Sequence, residues 1–281
     1  MPKLLAVDLD GTLIKRDGEV DVRDLEALDR ARGLGVIVTI ATGRLFAGTR
    51  ATAAKLGIDF PVACADGAQI CHPVDGTEIA HTGIAGEAAT ALRRALSPRP
   101  VCTFLLYRDG VLHDARGASF SKYVKSWSPQ LTEVGDLFDH DCWGSERGLS
   151  GAVVVGPSDE VSQAAAELGA AGAVDVFDFP VSRAPSGAPL DGVRALLAHA
   201  AGVSKGAALA TLAKRCGCSR EEVAAVGDWH NDVAMFAAVG RSFAMAHAPR
   251  RVRAAATDVL VADAHSVGGI AEALDRWLGA T

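Results

Sequence analysis

The first apolar run, residues 3–8 (KLLAVD), is short, unbroken and stopped by Asp and Gly, the pattern of a strand buried on both faces. Residues 22–32 then carry Leu25 and Leu28 between charges, which predicts an amphipathic helix closed by Gly33. The alternation repeats. Residues 35–41 (GVIVTIA) predict a second buried strand, 44–56 a second helix ending at Gly57, and 62–65 a third strand. Strand, helix, strand, helix, strand is the order of a parallel sheet covered on both faces.

After Thr82 and Gly83 the pattern changes. A helix is expected over 87–96, a hairpin over 102–107 and 110–113, a strand over 151–155, a helix over 161–168 and a strand over 174–181. Residues 184–191 (APSGAPLD) read as an exposed loop and 193–199 as a last strand. Two helices among several strands predict a small α+β module inserted into the first sheet. The parallel pattern then resumes with a helix over 205–216, a strand over 223–226 (VAAV), a helix over 232–239, short strands at 242–245 and 259–261, and a helix over 267–278. The expected fold class is therefore α/β, with a core in two parts, 1–83 and 200–281, around an insert at 84–199.

Composition narrows the function classes. Of 281 residues 49% are hydrophobic, enough for a sizeable core, but only 5% are aromatic, so that core must be built from small aliphatic side chains. A formal net charge of −6 argues against a nucleic-acid-binding surface. No apolar run approaches the roughly 20 residues of a spanning helix, and the first residues do not have the pattern of a signal peptide. Cys216-Gly-Cys218 lacks the CxxC spacing of a zinc site and has no second pair. The expectation is a cytoplasmic protein with reduced thiols, no membrane or nucleic-acid partner, and no obligate protein partner.

In open α/β sheets ligands bind beyond the carboxyl ends of the strands, and four polar clusters fall there. They are Asp8-Leu9-Asp10-Gly11-Thr12 after the first strand, Thr42-Gly43-Arg44 after the second, Lys205-Gly206 opening a helix after the insert, and Gly227-Asp228-Trp229-His230-Asn231-Asp232 after the VAAV strand. Singly, each has a plain structural reading as a capped turn or a helix start. Together and in this order they read as one site for phosphoryl transfer. Two carboxylates two residues apart can divide labour, one attacking and the other moving a proton. Asp8 and Asp228, with a backbone carbonyl, offer the hard oxygen ligands that Mg2+ prefers. Lys205 and the Thr42 hydroxyl can hold phosphoryl oxygens, helped by helix N-terminal amides.

These residues resemble the motifs of the haloacid dehalogenase superfamily, specifically its Cof-type sugar-phosphatase branch. Asp8-Leu9-Asp10-Gly11-Thr12-Leu13 is similar to the first motif, Thr42-Gly43-Arg44 to the second, Lys205 to the third, and Gly227-Asp228 with Asn231-Asp232 to the fourth. The resemblance spans the chain and implies a Rossmann-like doubly wound core with an inserted type IIB cap. It implies Asp8 as nucleophile and Mg2+ ligand, and Asp10 as general acid/base with its backbone carbonyl on the metal. Gly11, Thr42, Gly43, Arg44, Lys205 and Asn231 are implied to contact substrate or the intermediate, with Asn231 on the phosphate or on Lys205. Asp228 would ligate the metal and Asp232 would support it through its waters. The presence of Asp10 points to phosphoryl transfer rather than halide chemistry.

Some positions depart from the family pattern. Asp66 stands where the branch has Asn, His247 stands where a late loop has Asn, and Leu197 where the closing cap strand often carries Glu. Asp66 and His247 read as variation within loops. Trp229 and His230 replace smaller residues beside Asp228, and the indole is expected to narrow the site. His199 reads as a hinge histidine, and Arg147 and Arg183 offer positive charge within the insert, which is expected to govern the choice of leaving group.

The expected function is Mg2+-dependent hydrolysis of a small phosphorylated metabolite, a sugar phosphate first among them, through a phospho-aspartate. Two alternatives share the same motifs: a phosphosugar mutase of the phosphomannomutase kind, and a non-catalytic phosphometabolite-binding protein.

Overall fold

The computed structural model describes residues 4–15, 18–125, 127–184, 187–263 and 268–279, and among these described residues fourteen strands and nine α-helices follow one another. The strands are β1 (Leu4–Val7), β2 (Ile37–Ile40), β3 (Val62–Cys64), β4 (Gln69–Cys71), β5 (Glu78–His81), β6 (Cys102–Tyr107), β7 (Gly110–His113), β8 (Gln130–Glu133), β9 (Gly151–Pro157), β10 (Val174–Pro180), β11 (Val193–Ala200), β12 (Val223–Gly227), β13 (Arg241–Ala244) and β14 (Asp258–Val259). The helices are α1 (Val22–Gly33), α2 (Phe46–Lys55), α3 (Gly86–Leu96), α4 (Ser121–Val124), α5 (Ser158–Ala171), α6 (Lys205–Arg215), α7 (Val233–Ala237), α8 (Arg250–Ala255) and α9 (Gly269–Leu278). The expected element ends at Lys3 and Val267, and residues 185 and 186 of the expected loop, lie outside the described residues.

The chain forms two compact units. The first comprises Met1–Gly43, Arg50–Ile79 and Ser204–Thr281, and the second Arg44–Thr49 and Ala80–Val203. In the first, β14-β13-β12-β1-β2 make a five-stranded sheet in which every pairing is parallel. Both faces of its central strands are buried, as their unbroken apolar runs require. Leu4, Ala6, Val223 and Ala225 pack with Leu209 and Leu212 of α6 and Met235 and Phe236 of α7. Leu5, Val7, Ala224 and Val226 point the other way and are equally buried. The alanines along β1 and β12 keep these layers close without aromatic bulk.

The second unit contains a six-stranded sheet of order β10-β11-β9-β6-β7-β8. Its pairings are antiparallel except β7 with β8. Leu92 and Leu96 of α3 and Val161 and Leu168 of α5 share a core with Leu105, Val154 and Leu196 of this sheet.

Two local expectations are corrected, and some short elements add to the expected ones. Gly33 does not close α1 but is its last residue; Leu34 caps it through the carbonyls of Arg30 and Ala31, and the left-handed residue is Gly35 at φ 82°. β3 is not a full member of the parallel sheet. It touches β2 through the single bridge Ala41–Ala63 and pairs antiparallel with β4. The strands β4, β5 and β8 and the helices α4 and α8 have three to six residues, too few for a period to show in the sequence.

Candidate active site

Because β12, β1 and β2 are adjacent and parallel, their carboxyl ends share one edge of the sheet. Asp8 follows β1, Thr42 lies two residues beyond β2, and Asp228 follows β12. The sheet ladder itself holds the first of these, since the Asp8 amide donates to the Val226 carbonyl at 3.0 Å. The chain then turns tightly: the Ile14 amide returns to the Leu9 carbonyl at 2.8 Å, and Gly11 sits at φ 86°. A Cβ at Gly11 would stand 2.5 Å from Asp228 Oδ2, so glycine here permits both the backbone shape and the approach of the carboxylate. Thr12 Oγ1 donates to Asp228 Oδ1 at 3.1 Å and ties the first cluster to the fourth.

Lys205 is the first residue of α6, whose start is capped by the Ser204 hydroxyl accepting from the Ala207 amide. Gly206 follows it because α7 crosses there: a Cβ would lie 2.2 Å from the Ala234 carbonyl oxygen. This crossing directs a lysine that is only 1% exposed toward the end of β1. Its Nζ donates to Asp8 Oδ1 and to Asp232 Oδ1, each at 2.6 Å. Asp232 Oδ2 in turn accepts the amides of Asp228 and Trp229, both at 2.9 Å. Asp232 therefore acts as a brace between Lys205 and the loop that carries Asp228.

The electrostatics follow from burying three carboxylates beside one ammonium. Burial works to lower the Lys205 pKa, but Asp232 and Asp8, reinforced by Asp66, outweigh it and hold the group above its ordinary value. Burial pushes Asp8 well above the usual carboxylate range, with Lys205 opposing and Asp232 and Asp228 reinforcing. Asp232 is raised in the same way, by burial first and by Asp228. Asp8, Asp228 and Asp232 can each turn one oxygen to within 4.8 Å of the others. An all-carboxylate cluster with surplus negative charge in a buried place suits a hard divalent cation such as Mg2+. The Asp10 side chain is exposed and stands outside this cluster.

The remaining candidates are distributed as follows. Thr42 is fully buried, its amide on the Ala63 carbonyl and its own carbonyl receiving the Asp66 amide. Gly43 lies beside Asp66 and Asn231: a Cβ there would be 3.4 Å from Asp66 Oδ1 and 3.8 Å from Asn231 Nδ2. Arg44, Arg147, Arg183, Leu197 and His199 belong to the second unit. There Arg183 Nη1 donates to the Gly187 carbonyl and His199 Nδ1 lies 3.3 Å from the Ser150 carbonyl oxygen.

The family model for haloacid dehalogenase-like hydrolases matches residues 5–139 and 196–274. The chain belongs to this family. A phosphoglycolate phosphatase of Halorubrum lacusprofundi is 30% identical over 264 residues, covering 94% of this chain and 92% of its own. An HMP-PP phosphatase of Yersinia enterocolitica is 25% identical over 280 residues, covering 99% and 96%. Among solved structures, a sugar phosphatase of haloacid dehalogenase subclass IIB superposes with a TM-score of 0.79 at 20% identity, covering 99% of this chain and 100% of that one. That likeness shows the fold: a parallel-sheet core with a separately folded insert of the IIB kind.

Two departures of this haloacid dehalogenase-like hydrolase from the family pattern, expected to be loop variation, lie within the site. Asn231 Nδ2 donates to Asp66 Oδ1 at 2.7 Å, while Asn231 Oδ1 is buried with no partner among the described residues. His247 Nε2 is 3.0 Å from Asp228 Oδ2. Sequence alone could not find these contacts, because 165 and 19 residues separate the partners. The only signal was that Asp66 and His247 each stand where the family pattern has another polar residue. The Trp229 ring is 39% exposed and meets His230 edge-on, centroids 5.3 Å apart.

Proposed function

We propose that the chain is a Mg2+-dependent phosphatase that hydrolyses a small phosphorylated metabolite through a phospho-aspartate on Asp8. The observation that carries the reading is Lys205, buried at the sheet edge and bonded at once to Asp8 and Asp232. A buried lysine shared by two carboxylates beside a third is a costly arrangement for stability alone, and it suits a site that must receive a phosphate dianion.

Asp8 and Asp228 would hold the metal, with Asp232 bracing their loop and the Asp10 carbonyl as a further oxygen donor. When bound, Mg2+ supplies the positive charge that lets an anionic nucleophile approach an anionic phosphate. Asp8 attacks phosphorus in line with the leaving oxygen, the phosphorus–oxygen ester bond breaks, and Asp10 gives its proton to the departing alkoxide. Asp10, now a carboxylate, takes a proton from water as that water attacks the phospho-aspartate. Inorganic phosphate leaves and Asp8 is restored. Lys205, the Thr42 hydroxyl and Asn231 hold the phosphoryl oxygens during both displacements, with Gly11, Gly43 and Arg44 as further substrate contacts.

The relatives act, by their names, on phosphoglycolate, HMP-PP and a phosphoribitylamino-uracil, at identities between 24% and 30%. That spread supports a small phosphorylated metabolite as the substrate class, and a sugar phosphate is the member to test first. The proposed site of action is the cytoplasm, where cysteines stay reduced. No helix among the described residues is long and apolar enough to cross a membrane.

The test is incubation with hexose 1-phosphate and a panel of phosphorylated metabolites. Release of inorganic phosphate supports the phosphatase, formation of an isomeric sugar phosphate would make it a mutase, and tight binding without turnover would make it a binding protein.

A further inference from the structure

Cys216 and Cys218 lie just past the last residue of α6, and their Sγ atoms are 3.1 Å apart. Cys216 caps the helix with its amide on the Leu212 carbonyl, and Gly217 turns the chain at φ 68°. Nothing lies within 4 Å of where a Cβ on Gly217 would stand, so this turn opens to solvent. Both thiols are partly exposed and both rest on the core beside Ala213. Lys214, Arg215 and Arg220 flank the pair in sequence and are exposed.

The other four cysteines differ. Cys64, Cys71 and Cys142 are buried, and burial pushes the Cys142 thiol up to about 11. Cys102 is partly exposed, but burial raises its pKa too, and its Sγ is 2.8 Å from the Arg116 carbonyl oxygen. Access, a neighbouring thiol and basic flanks coincide only at the CGC turn.

We propose that Cys216 and Cys218 are a site of reversible oxidation, forming an intrachain disulfide when the protein meets a hydroperoxide. One thiolate attacks a peroxide oxygen and breaks the oxygen–oxygen bond, giving a sulfenic acid and releasing hydroxide, which a proton converts to water. The second thiol then attacks the sulfenic sulfur, expels its oxygen as a second water and closes the disulfide. Two thiols and one hydrogen peroxide thus yield one disulfide and two waters. Closure requires the sulfurs to approach by about 1 Å, to the ~2.05 Å of a disulfide bond. The open space around the Gly217 turn leaves room for this movement. The disulfide would staple the end of α6 opposite Lys205 and is independent of the phosphatase reading.

The sequence makes the test direct, because trypsin cutting after Arg215 and Arg220 releases residues 216–220 (CGCSR) with both thiols in one peptide. The reduced full-length protein is treated with a small excess of hydrogen peroxide, alkylated under denaturing conditions, digested and weighed. The expected result is a peptide about 2 Da lighter than the dithiol form, carrying no alkyl group, and returned by dithiothreitol to the doubly alkylated form. In Cys218→Ser that loss of mass should disappear. A peptide that stays doubly alkylated, gains oxygens irreversibly, or emerges joined to another cysteine peptide overturns the proposal.

Discussion

Lys205 Nζ lies 2.6 Å from Asp8 Oδ1, a bond spanning 197 residues of chain that links the first strand of the sheet to the helix that follows the insert. In Lys205→Met, Asp8 and Asp232 lose their shared counter-charge in a buried place. Breaking a buried ion pair from one side costs about 3–5 kcal/mol, so the variant should unfold at markedly lower urea concentration and lose turnover. Equal urea midpoints for variant and parent would show that the lysine is not the counter-charge of the cluster.

Asp8→Asn should leave the fold intact and abolish turnover, because an amide neither attacks phosphorus nor carries the charge of a metal ligand. Circular dichroism checks the first half and phosphate release the second. Substantial residual hydrolysis would remove the phospho-aspartate from the mechanism.

For Asp10→Asn the expectation is a slowed reaction, by roughly 10²–10⁴-fold, the usual worth of general acid/base help. If Asp10 also activates the hydrolytic water, acid-quenched samples should hold more phosphoenzyme than the parent during turnover. A variant that still turns over slowly yet never accumulates it would count against that second role.

Chelation should stop phosphate release, and added Mg2+ should restore it. Ca2+ should restore it poorly, since its larger and looser shell disturbs in-line geometry. Full activity in EDTA would mean that Asp8, Asp228 and the Asp10 carbonyl do not hold a required metal.

Away from the site, Asp24 of α1 is buried against the start of α9 and accepts the Ala271 amide at 2.8 Å. Burial, against that hydrogen bond, pushes its carboxyl up to about 6. The folded state therefore binds the proton more tightly than the unfolded chain. The stability this gives is fully present below about pH 4 and is lost as pH rises through about 6, by roughly 2–3 kcal/mol. Asp24→Asn keeps the acceptor oxygen without the charge. Urea midpoints should be similar near pH 4.5, with the variant gaining on the parent up to pH 7. A difference that does not grow with pH would contradict this account.

Much of this organisation was legible in the sequence because its signals are local. The runs LLAV and VAAV are apolar on every residue, the pattern of a strand buried on both faces, and Asp8 and Asp228 stand just beyond them at the sheet edge. The change of pattern after Gly83 likewise gave the expectation of an inserted α+β module, in keeping with the separate, mostly antiparallel sheet of the second unit. Short pieces escaped: β4 has three residues, and the antiparallel pairing that β3 makes with it depends on the left-handed turn at Ala65 and Asp66.

What the sequence determined by itself was which residue types stand at strand ends and in what order. Only the tertiary structure decided their partners. Asp232 was placed in the fourth motif by its spacing, but that it braces Lys205 and two backbone amides at once depends on where α6 crosses α7 at Gly206. Asp66 and His247 looked like drift because their partners, Asn231 and Asp228, are distant in the chain. The reason is physical: hydrophobic period and capping act over a few residues and leave a trace in them. Charge pairing acts over a few ångströms, between segments that only the completed fold brings together.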